Sequence, residues 1–567
     1  MLGRLVTRLA VWRARRLKEA FVAEASDPWR SQCKLLAELL SRDRETAIGR
    51  RLGFSTIDGP EAFRRAVPLV TFEDVAADVE RMAAGEPDVL VSRSDPLLRF
   101  CMTSGTTGRP KAVPVTASFL RAYKEGWATW AWAAIEDHPA LIEKLSTHKL
   151  LALVAPAEDG RTSGGYPTGA ITGLTVTAQA RSLVRALATP HDCTAVEEFA
   201  LRTYVLVRFA LEEEVGHIST PNPSTLLRVA DLMAERTEEL LRDVRDGTCR
   251  GLETLPEATA SALRRHLAPR PERARLLERR SAAAGALRPR EAWPTLTLLS
   301  CWTGGTMRLY LERLPEAYGP AAVRDLGLIA SEGRMSLPLA DGEAGVLDLR
   351  SNVYEFIPEA EADRPDPTTL WAPEVEVGGR YFLVLTNRSG LYRYQIQDCV
   401  EVVGSYGATP LIVFLHKGRS ISSVTGEKLT EHQVLEAAEE VFAPPSPRVT
   451  LFTVCPAWGD PPHYVLCLEE GEGDAPGEAW RRRVSAFDRA LERLNVEYAS
   501  KRSSGRLGAL ELRWLAPGTF AALEAERIAV AAGRAEQVKH PYLVADLDFL
   551  ARLTPSLGVA KGSRADS

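Results

Sequence analysis

Apolar and polar positions follow a helical rhythm early in the chain and a strand rhythm later. Between about residues 20 and 90, apolar side chains recur at helical spacing, as in Leu36 and Leu40. An aromatic-rich helix is predicted at 119–135. From residue 296 onward, short apolar runs separated by glycine turns predict strands, at 296–302, 323–329, 345–349, 354–357, 381–386 and 399–403. Strands alternating with helices predict an α/β fold.

A compact succession of elements closes the chain. The pattern predicts helix, strand, strand, helix, strand and helix, at 431–442, 449–455, 463–468, 479–494, 510–515 and 520–532. This is the pattern of a separate small α+β domain, and the polar stretch before it is the natural hinge. The chain of 567 residues exceeds what one core usually supports. We predict a large N-terminal domain of mixed sheets and helices, a hinge, a smaller mobile α+β domain and a disordered tail, at 1–416, 417–425, 426–560 and 561–567.

Composition narrows the class of protein. The net charge is −5, so no broad basic surface predicts a nucleic-acid partner. The eight cysteines are dispersed without a CxxC pair, which predicts a reducing compartment, the cytoplasm, and argues against structural zinc. No apolar run reaches the ~18 residues of a membrane span. The basic segment 1–21 predicts a helix packed on the domain, with a helix at a membrane surface as the alternative.

The segment from Phe100 to Lys111 carries the strongest chemical signal. An apolar lead-in at 96–101 predicts a strand that feeds a loop of hydroxyl side chains and glycines. Hydroxyls and backbone N–H groups bind phosphate oxygens, and glycine allows close approach. The loop is not a Walker A motif, because Lys111 is followed by Ala112. A flexible polar turn is the alternative to a loop over the phosphates of ATP. The predicted ATP-binding residues are Thr103, Ser104, Gly105, Thr106, Thr107 and Gly108.

Two carboxylates stand directly next to apolar runs. Glu332, preceded by Ser331, follows a predicted strand, and a carboxylate there suits Mg²⁺ that bridges ATP phosphates. Asp398 lies between strand-like segments, where it would accept hydrogen bonds from ribose hydroxyls. A solvated glutamate and a turn-forming aspartate are the alternatives at these positions.

Other polar positions are weaker signals on their own. Gly304 and Gly305 follow a predicted strand at the end where α/β sheets bind ligands, or form a simple turn. Arg419 and Lys428 border the predicted hinge. Lys539 is a cation on a late loop, which in isolation is typical of a solvated side chain. The segment 203–210 is apolar and rich in strand-forming residues, which favours a strand.

Taken together, these segments resemble the Gretchen Hagen family of acyl acid amido synthetases. That family belongs to the adenylate-forming superfamily, with acyl-CoA synthetases and luciferases. The similarity runs over essentially the whole chain. It includes Trp-Thr-Gly-Gly at 302–305, Ala-Ser-Glu-Gly at 330–333 and Gln-Val-Lys-His-Pro at 537–541. Further matching segments are 46–49, 63–70, 103–111, 293–294, 352–358, 390–394 with Asp398, 426–428 and 517–520.

The resemblance implies an enzyme with ATP and Mg²⁺ as cofactors. It implies that the substrate carboxylate is adenylated and that the acyl group is then transferred to an amine, normally an amino acid. For the nucleotide, the resemblance implies phosphate binding by Ser104, Thr106 and Thr107, and adenine contact by Gly304, Gly305 and Thr306. It implies Mg²⁺ binding by Glu332, ribose binding by Asp398, and a place near the hinge and ribose for Arg419. Lys539 or Lys428 would compensate charge on the α-phosphate.

Three residues depart from the family pattern. Leu328 stands where the family has a tyrosine that stacks on adenine, and Gln397 replaces the glycine before the ribose aspartate. Tyr542 replaces an arginine near the C-terminal lysine. The arginine- and alanine-rich composition indicates a bacterial member of the family.

The acid, the amine and its base stay open in the sequence. Aromatic and apolar content predicts an apolar or aryl acid, in a pocket formed by Tyr123, Trp127, Tyr166 and Gly169. A base for the amine is His217, His416 or water. An acyl-CoA or carrier-protein ligase is the alternative enzyme, and a catalytically silent binder of nucleotide or acyl groups is the second alternative. A monomer is slightly favoured.

Overall fold

The computed structural model describes most of the chain. The described residues are 2–103, 111–144, 146–156, 158–177, 186–304, 307–362, 364–418, 421–422, 424–425, 427, 429–442, 449–470, 477–503, 505, 507–530 and 539–556. The chain divides into two compact units, 1–414 and 415–567. The predicted hinge at 417–425 begins just past this division, and the predicted tail at 561–567 lies outside the described residues.

Helices and short strands alternate in the larger unit, as the sequence predicted. Its described α-helices are Leu2–Ala25, Pro28–Asp43, Ala47–Arg51, Pro60–Ala66, Phe72–Ala83, Ala117–Asp137, Ala140–Glu143, Ile171–Thr177, Phe199–Ala210, Pro223–Glu235, Thr237–Asp246, Glu257–Arg264, Pro271–Ala282, Pro289–Ala292, Arg308–Leu311 and Leu314–Tyr318.

Three sheets of three or more strands build the larger unit within the described residues. A parallel sheet has the order Lys149–Ala152, Val215–Ser219, Leu298–Ser300, Ala322–Arg324. A smaller mixed sheet has the order Lys111–Thr116, Leu97–Thr103, Pro167–Gly169, Gly160–Arg161. A seven-stranded sheet has the order Ser336–Leu337, Gly345–Leu347, Thr409–Lys417, Tyr394–Tyr406, Arg380–Asn387, Asn352–Pro358, Leu370–Trp371. The short strands Ile329–Ala330 and Gly333–Arg334 pair with each other.

The predicted aromatic helix is observed at Ala117–Asp137 and packs against the N-terminal helix. Thr116 Oγ1 accepts a hydrogen bond from the Phe119 N–H at 3.2 Å and caps the start of the aromatic helix. Phe21 and Ala25 of the N-terminal helix are buried in one cluster with Trp130. The end of the basic N-terminal helix is thus packed on the domain, as predicted.

The predicted strand at 203–210 is wrong, because these residues lie in the helix Phe199–Ala210. Glu198 accepts hydrogen bonds from the N–H groups of Ala200 and Leu201 and caps this helix. Residues 202–210 are all buried, so the helix shows no polar face. A helix that is buried all round, with Arg202 and Arg208 buried as well, has no exposed polar face to mark it in sequence, and tertiary burial decided between helix and strand.

The smaller unit matches its predicted pattern. Its described α-helices are Glu431–Phe442, Glu478–Leu494, Val496–Ser503, Thr519–Val530 and Phe549–Ser556. Its strands are Ile421–Ser422 and Leu429–Thr430, which pair, and Thr453–Ala457, His463–Glu469 and Glu511–Leu515, which form one sheet. The fold class of a large α/β N-terminal part with a smaller α+β C-terminal part is confirmed. Of the helices in the described part of the chain, none combines the length and hydropathy of a membrane span.

Candidate active site

The predicted phosphate loop joins two paired strands. Thr103, the last residue of one strand, pairs with Lys111, the first residue of the next, so the two ends of the loop lie side by side. The Lys111 ammonium lies 5.1 Å from the Phe72 ring centre and 3.8 Å from the Glu73 carboxylate. Several predicted site residues lie outside the described residues, namely Ser104, Gly105, Thr106, Thr107, Gly108, Gly305, Thr306, Arg419 and Lys428.

Glu332 is a buried carboxylate in the tight turn between two short paired strands. The Tyr394 hydroxyl donates to Glu332 Oε1 at 3.3 Å, and Asn387 Nδ2 donates to the Glu332 carbonyl at 2.8 Å. Among the described residues, no lysine, arginine or histidine nitrogen lies within 4.0 Å of this carboxylate. A buried carboxylate without a countercharge is costly. The surroundings of the Glu332 carboxylate therefore fit a bound cation.

A bulge in the strand Tyr394–Tyr406 places Asp398. The register slips so that residues 396–398 lie opposite the single residue Leu383. Gln397 is exposed and has φ of +65°, whereas Asp398 is buried. Bulges commonly re-aim side chains beside active sites. The left-handed conformation at Gln397 explains why glycine suits this position.

Gln397→Gly is expected to raise the free energy of unfolding by about 1 kcal/mol, because the left-handed conformation costs a residue with a Cβ roughly 1–2 kcal/mol and glycine entropy offsets part of the gain. Urea denaturation measures the difference. Gln395→Gly, two residues earlier in the same strand and outside the positive-φ region, is the matched control and should destabilise the protein. Equal destabilisation by both substitutions would show that the backbone at Gln397 is not strained.

Tyr394 is hydrogen-bonded to Glu332, and its phenol lies within the electrostatic reach of Asp398. Burial raises the pKa of the Tyr394 phenol, and the charge of Glu332 raises it further, with a smaller contribution from Asp398. The phenol therefore stays protonated and acts as a hydrogen-bond donor. The structure thus places the predicted metal ligand at the hydroxyl of Tyr394, and the predicted ribose ligand lies four residues further along the strand that carries Tyr394.

Asp325 is a buried carboxylate that sequence reasoning missed. It follows the last strand of the parallel sheet and accepts hydrogen bonds from Thr303 N at 2.6 Å, Thr303 Oγ1 at 2.7 Å and Gly327 N. Burial raises its pKa to about 6. Through these hydrogen bonds Asp325 links the turn that leads into Gly304 with the loop at Gly327. It follows Arg324 and lies inside the segment 323–329 that was predicted as one strand, so no strand-end position marked it.

Leu328 and Ser331 flank the strand before Glu332. Leu328 is half-buried against the core under the seven-stranded sheet, and its N–H donates to Ser336 Oγ at 2.9 Å. Ser331 is buried. The departure at Leu328 therefore puts a packed aliphatic side chain where the family has an aromatic ring.

The structure brings three of the four predicted acyl-pocket residues together. Tyr123 and Trp127 lie on one face of the aromatic helix, with ring centres 6.3 Å apart. Gly169 pairs with Cys101 in the smaller mixed sheet, and Cys101 belongs to the same apolar cluster as Tyr123. Tyr166 instead packs edge-on against Phe100 at 5.9 Å, in another cluster. Phe100 and Cys101 are successive strand residues and point to opposite faces of the sheet. Tyr166, which packs on Phe100, therefore lies away from the other three.

In the smaller unit, Lys539 is exposed and Tyr542 is a core residue. The Arg527 guanidinium donates to the Lys539 carbonyl at 3.2 Å. The Tyr542 N–H donates to Glu431 Oε1 at 2.8 Å, and its ring packs 4.9 Å from that of Phe452. The departure at Tyr542 is therefore accommodated by burial.

Glu427 is a second buried carboxylate that the sequence did not single out. It accepts hydrogen bonds from Val424 N at 2.7 Å, from Thr425 N at 2.8 Å and from the Tyr464 hydroxyl. It thereby holds the backbone directly before Lys428. A glutamate between glycine and lysine is typical of a solvated turn, so no sequence signal marked it.

His217 is a poor candidate for the amine's base. Its Nε2 shares a hydrogen bond with Ser300 Oγ, and its ring stacks on Trp130 with centres 6.3 Å apart. Burial lowers the pKa of His217 to about 4, so the ring is neutral near pH 7 and binds a proton weakly. His416 Nδ1 lies 3.0 Å from the Gly418 carbonyl oxygen.

His217 is expected to make the larger unit less stable in mild acid. Its pKa of about 4 lies below the unfolded value of about 6.5, so the unfolded chain binds more protons as pH falls from 6.5 to 4. Stability present above pH 6.5 is therefore lost on acidification, by about 2 kcal/mol between pH 7 and pH 5. Urea denaturation at both pH values tests this. His217→Gln should show a correspondingly smaller loss, and an unchanged loss would contradict the assignment.

Comparisons with known proteins show similarity to one family along most of the chain. Residues 17–323 match the GH3 family N-terminal domain, 345–417 the central domain and 430–548 the C-terminal domain. The chain is 25% identical to jasmonoyl–L-amino acid synthetase JAR4 of Nicotiana attenuata, over 88% of this chain and 89% of that protein. It is 27% identical to the probable indole-3-acetic acid-amido synthetase GH3.12 of Oryza sativa subsp. japonica, over 91% of each.

Solved structures share the fold. The AtGH3.15 acyl acid amido synthetase in complex with 2,4-DB superposes with a TM-score of 0.81 at 22% identity, covering 96% of each chain. A 2-hydroxyisobutyryl-CoA ligase in its postadenylation state superposes with a TM-score of 0.51 at 14% identity, covering 95% of this chain and 90% of that one. Three domain models of one family match in order over most of the chain. The chain therefore belongs to the GH3 (Gretchen Hagen) family, as the resemblance predicted.

Proposed function

We propose that this protein is an ATP-dependent acyl acid amido synthetase. The observation that carries the proposal is the buried carboxylates Glu332, which accepts from Tyr394, and Asp398, four residues after Tyr394 in the same strand, in a chain that matches all three GH3 domains. Its relatives are named amido synthetases for jasmonic acid and indole-3-acetic acid. Family membership supports the reaction class, and the site supports nucleotide binding.

In the first half-reaction, a carboxylate oxygen of the acid attacks the α-phosphorus of ATP. The bond between the α-phosphorus and the bridging oxygen breaks, and pyrophosphate leaves with that electron pair. Both reactants are anionic, so catalysis here consists of charge neutralisation and alignment. We assign phosphate binding to the loop at 103–108, adenine contact to Gly304–Thr306 and ribose binding to Asp398, with Arg419 nearby.

Mg²⁺ is assigned to Glu332, whose buried carboxylate has no described cation at ion-pair distance. When bound, Mg²⁺ would neutralise phosphate charge. The chain's own contribution is to hold this carboxylate in a tight turn, with Tyr394 fixing one oxygen.

In the second half-reaction, a neutral amine nitrogen attacks the acyl carbon, and the carbon–oxygen bond to AMP breaks. The amine proton leaves to water, since burial makes His217 a weak base. We assign Lys539 and Lys428 to the α-phosphate, delivered by rotation of the smaller domain about 417–425. Such a motion would separate the two half-reactions and exclude water.

Nucleotide product analysis tests the proposal. The protein is incubated with ATP, Mg²⁺ and a panel of carboxylic acids, with and without mixed amino acids or CoA. We expect AMP rather than ADP, formed with a particular acid plus an amino acid, together with an amide of the matching mass. AMP that requires CoA would make the protein a thioester ligase. ATP binding without AMP across the panel would make it a silent binder.

Composition supports three further proposals. The arginine- and alanine-rich sequence supports a bacterial source, although the curated relatives named above are plant proteins. The eight cysteines are free thiols, in keeping with a reducing cytoplasm. We propose a monomer that acts on small-molecule acids and amines.

A further inference from the structure

Arg334 holds a fully buried guanidinium whose hydrogen bonds are incomplete. The residue is 0% exposed, and Nη2 donates to the Leu326 carbonyl. Its Nε and Nη1 atoms are buried and have no hydrogen-bond partner among the residues that the structure describes. An unmade hydrogen bond on a buried charged group is costly, so two open donors on one buried arginine indicate a missing acceptor.

Trp127 adds a third open donor at the same place. Its indole Nε1 is buried and also has no partner. The Arg334 guanidinium carbon lies 4.4 Å from the centre of the Trp127 ring, so the two side chains are stacked. Three N–H groups without an acceptor therefore meet in one neighbourhood.

The neighbourhood lacks acceptors rather than negative charge. Asp348 and Asp325 are the charged groups that act on the Arg334 guanidinium, yet neither lies within 4.0 Å of it. Asp348 accepts from the Ser351 hydroxyl at 2.7 Å, and Asp325 is occupied by Thr303 and Gly327. An oxygen that needs only to accept hydrogen bonds, charged or neutral, would complete the site.

The open donors border the predicted acyl pocket. Trp127 lies one turn along the aromatic helix from Tyr123 and packs against the cluster that contains Tyr123 and Cys101. Arg334 follows the candidate metal ligand Glu332 by two residues. Its methylene stem lies against the aromatic helix at Gly126, where a Cβ would come within 3.0 Å of Arg334 Cδ. A glycine at this position leaves room for the arginine to reach the pocket wall.

We propose that Arg334 and Trp127 recognise an oxygen acceptor on the acyl part of the substrate, remote from the reacting carboxylate. This inference rests on the proposed function and names its substrate class: acids that carry a second oxygen function, rather than plain aliphatic or aryl acids. A site built to hydrogen-bond a substrate group rejects the analogue that lacks it, because its donors are then left unpaired.

Matched acids test the proposal. Each set shares one skeleton: octanoic, 8-hydroxyoctanoic and suberic acids, and phenylacetic, 4-hydroxyphenylacetic and 4-carboxyphenylacetic acids. AMP release gives kcat/KM, and isothermal titration of each acid without ATP gives binding independently of catalysis. For at least one skeleton, we expect an oxygenated member to exceed its parent roughly tenfold or more in both measurements. The hydroxyl and carboxyl arms distinguish a neutral from an anionic acceptor.

Two variants assign the preference to these donors. Arg334→Met removes both open guanidinium donors at similar length, and we expect the preference to vanish while the parent acid is still used. Trp127→Phe removes only the indole N–H and should reduce the preference severalfold. Trp132→Phe is the matched control on the same helix, because the Trp132 indole already donates to Glu136 at 2.7 Å. If Arg334→Met does not fold, the comparison of the two tryptophan variants decides.

The outcomes separate this inference from the proposed function. If no acid yields AMP but oxygenated acids bind more tightly and Trp127→Phe abolishes the difference, the proposed function fails and the acceptor site stands. If AMP forms equally with parent and oxygenated acids, or if Trp127→Phe and Trp132→Phe behave alike, the inference is overturned and buried water satisfies the donors.

Discussion

Glu332→Gln is expected to slow AMP formation by about a thousandfold, because removing a charge-stabilising group at a reacting phosphate typically costs that much in rate. The amide keeps the shape of the side chain and still accepts the hydrogen bond from Tyr394. What it loses is the negative charge that would hold Mg²⁺. The folded state should therefore persist, since no described lysine, arginine or histidine forms an ion pair with this carboxylate. Single-turnover AMP formation at saturating ATP and Mg²⁺ measures the loss.

A carboxylate of the seven-stranded sheet provides the control. Glu401 lies on the strand that carries Asp398, partly exposed, with its carboxylate 3.3 Å from Arg380. Glu401→Gln removes the same charge outside the candidate site and should leave the rate unchanged. A Glu332→Gln enzyme that forms AMP as fast as the Glu401→Gln enzyme would remove Glu332 from the site.

Asp398→Ala is expected to raise the KM for ATP by roughly a hundredfold, because a buried carboxylate that accepts from two ribose hydroxyls makes charge-assisted hydrogen bonds. Asp398→Asn keeps one acceptor oxygen and should fall between wild type and alanine. Steady-state AMP release over a range of ATP concentrations gives the values.

A comparison of nucleotides makes this assignment specific. Replacing ATP by 2′,3′-dideoxy-ATP should greatly weaken nucleotide binding to the wild-type enzyme. The same replacement should weaken binding to Asp398→Ala only slightly, because the carboxylate that contacts the hydroxyls is already absent. Such coupling between residue and hydroxyls identifies a direct contact. If removing the hydroxyls weakens both enzymes equally, Asp398 acts elsewhere and the ribose assignment is wrong. Gln397→Gly, next to it in the chain, should show the wild-type response.

Local pattern was enough for much of the fold. The helix Glu431–Phe442 was predicted to the residue, and the helix Glu478–Leu494 and the strand His463–Glu469 to within one residue. Their apolar residues recur at one clear period, and turn residues bound them. The helix Phe199–Ala210 was missed because residues 202–210 are buried on every face, so no exposed polar face recurs at helical spacing.

The site residues likewise include some that local sequence predicted and others that only the fold revealed. Glu332 was found because it follows a predicted strand, and Asp398 because it lies between strand-like segments. Asp325 lies inside a segment predicted as one strand, 323–329, and was overlooked. Glu427 carries no sequence signal, because its burial depends on Tyr464, 37 residues away in sequence. Arg393 likewise pairs with Glu355 inside the core, at 2.7 Å, through a contact that no local pattern contains.

The sequence by itself determined the family, the two-part α/β and α+β organisation, and the candidate residues at the ends of apolar runs. These follow from periodicity and from ordered motifs, which are local properties of a chain. Only the tertiary structure decided that Tyr394 hydrogen-bonds Glu332, that Tyr166 lies away from Tyr123, and that Arg334 is buried with donors that no described residue accepts from. The physical reason is that burial and hydrogen-bond satisfaction depend on partners that the fold brings together from distant parts of the chain.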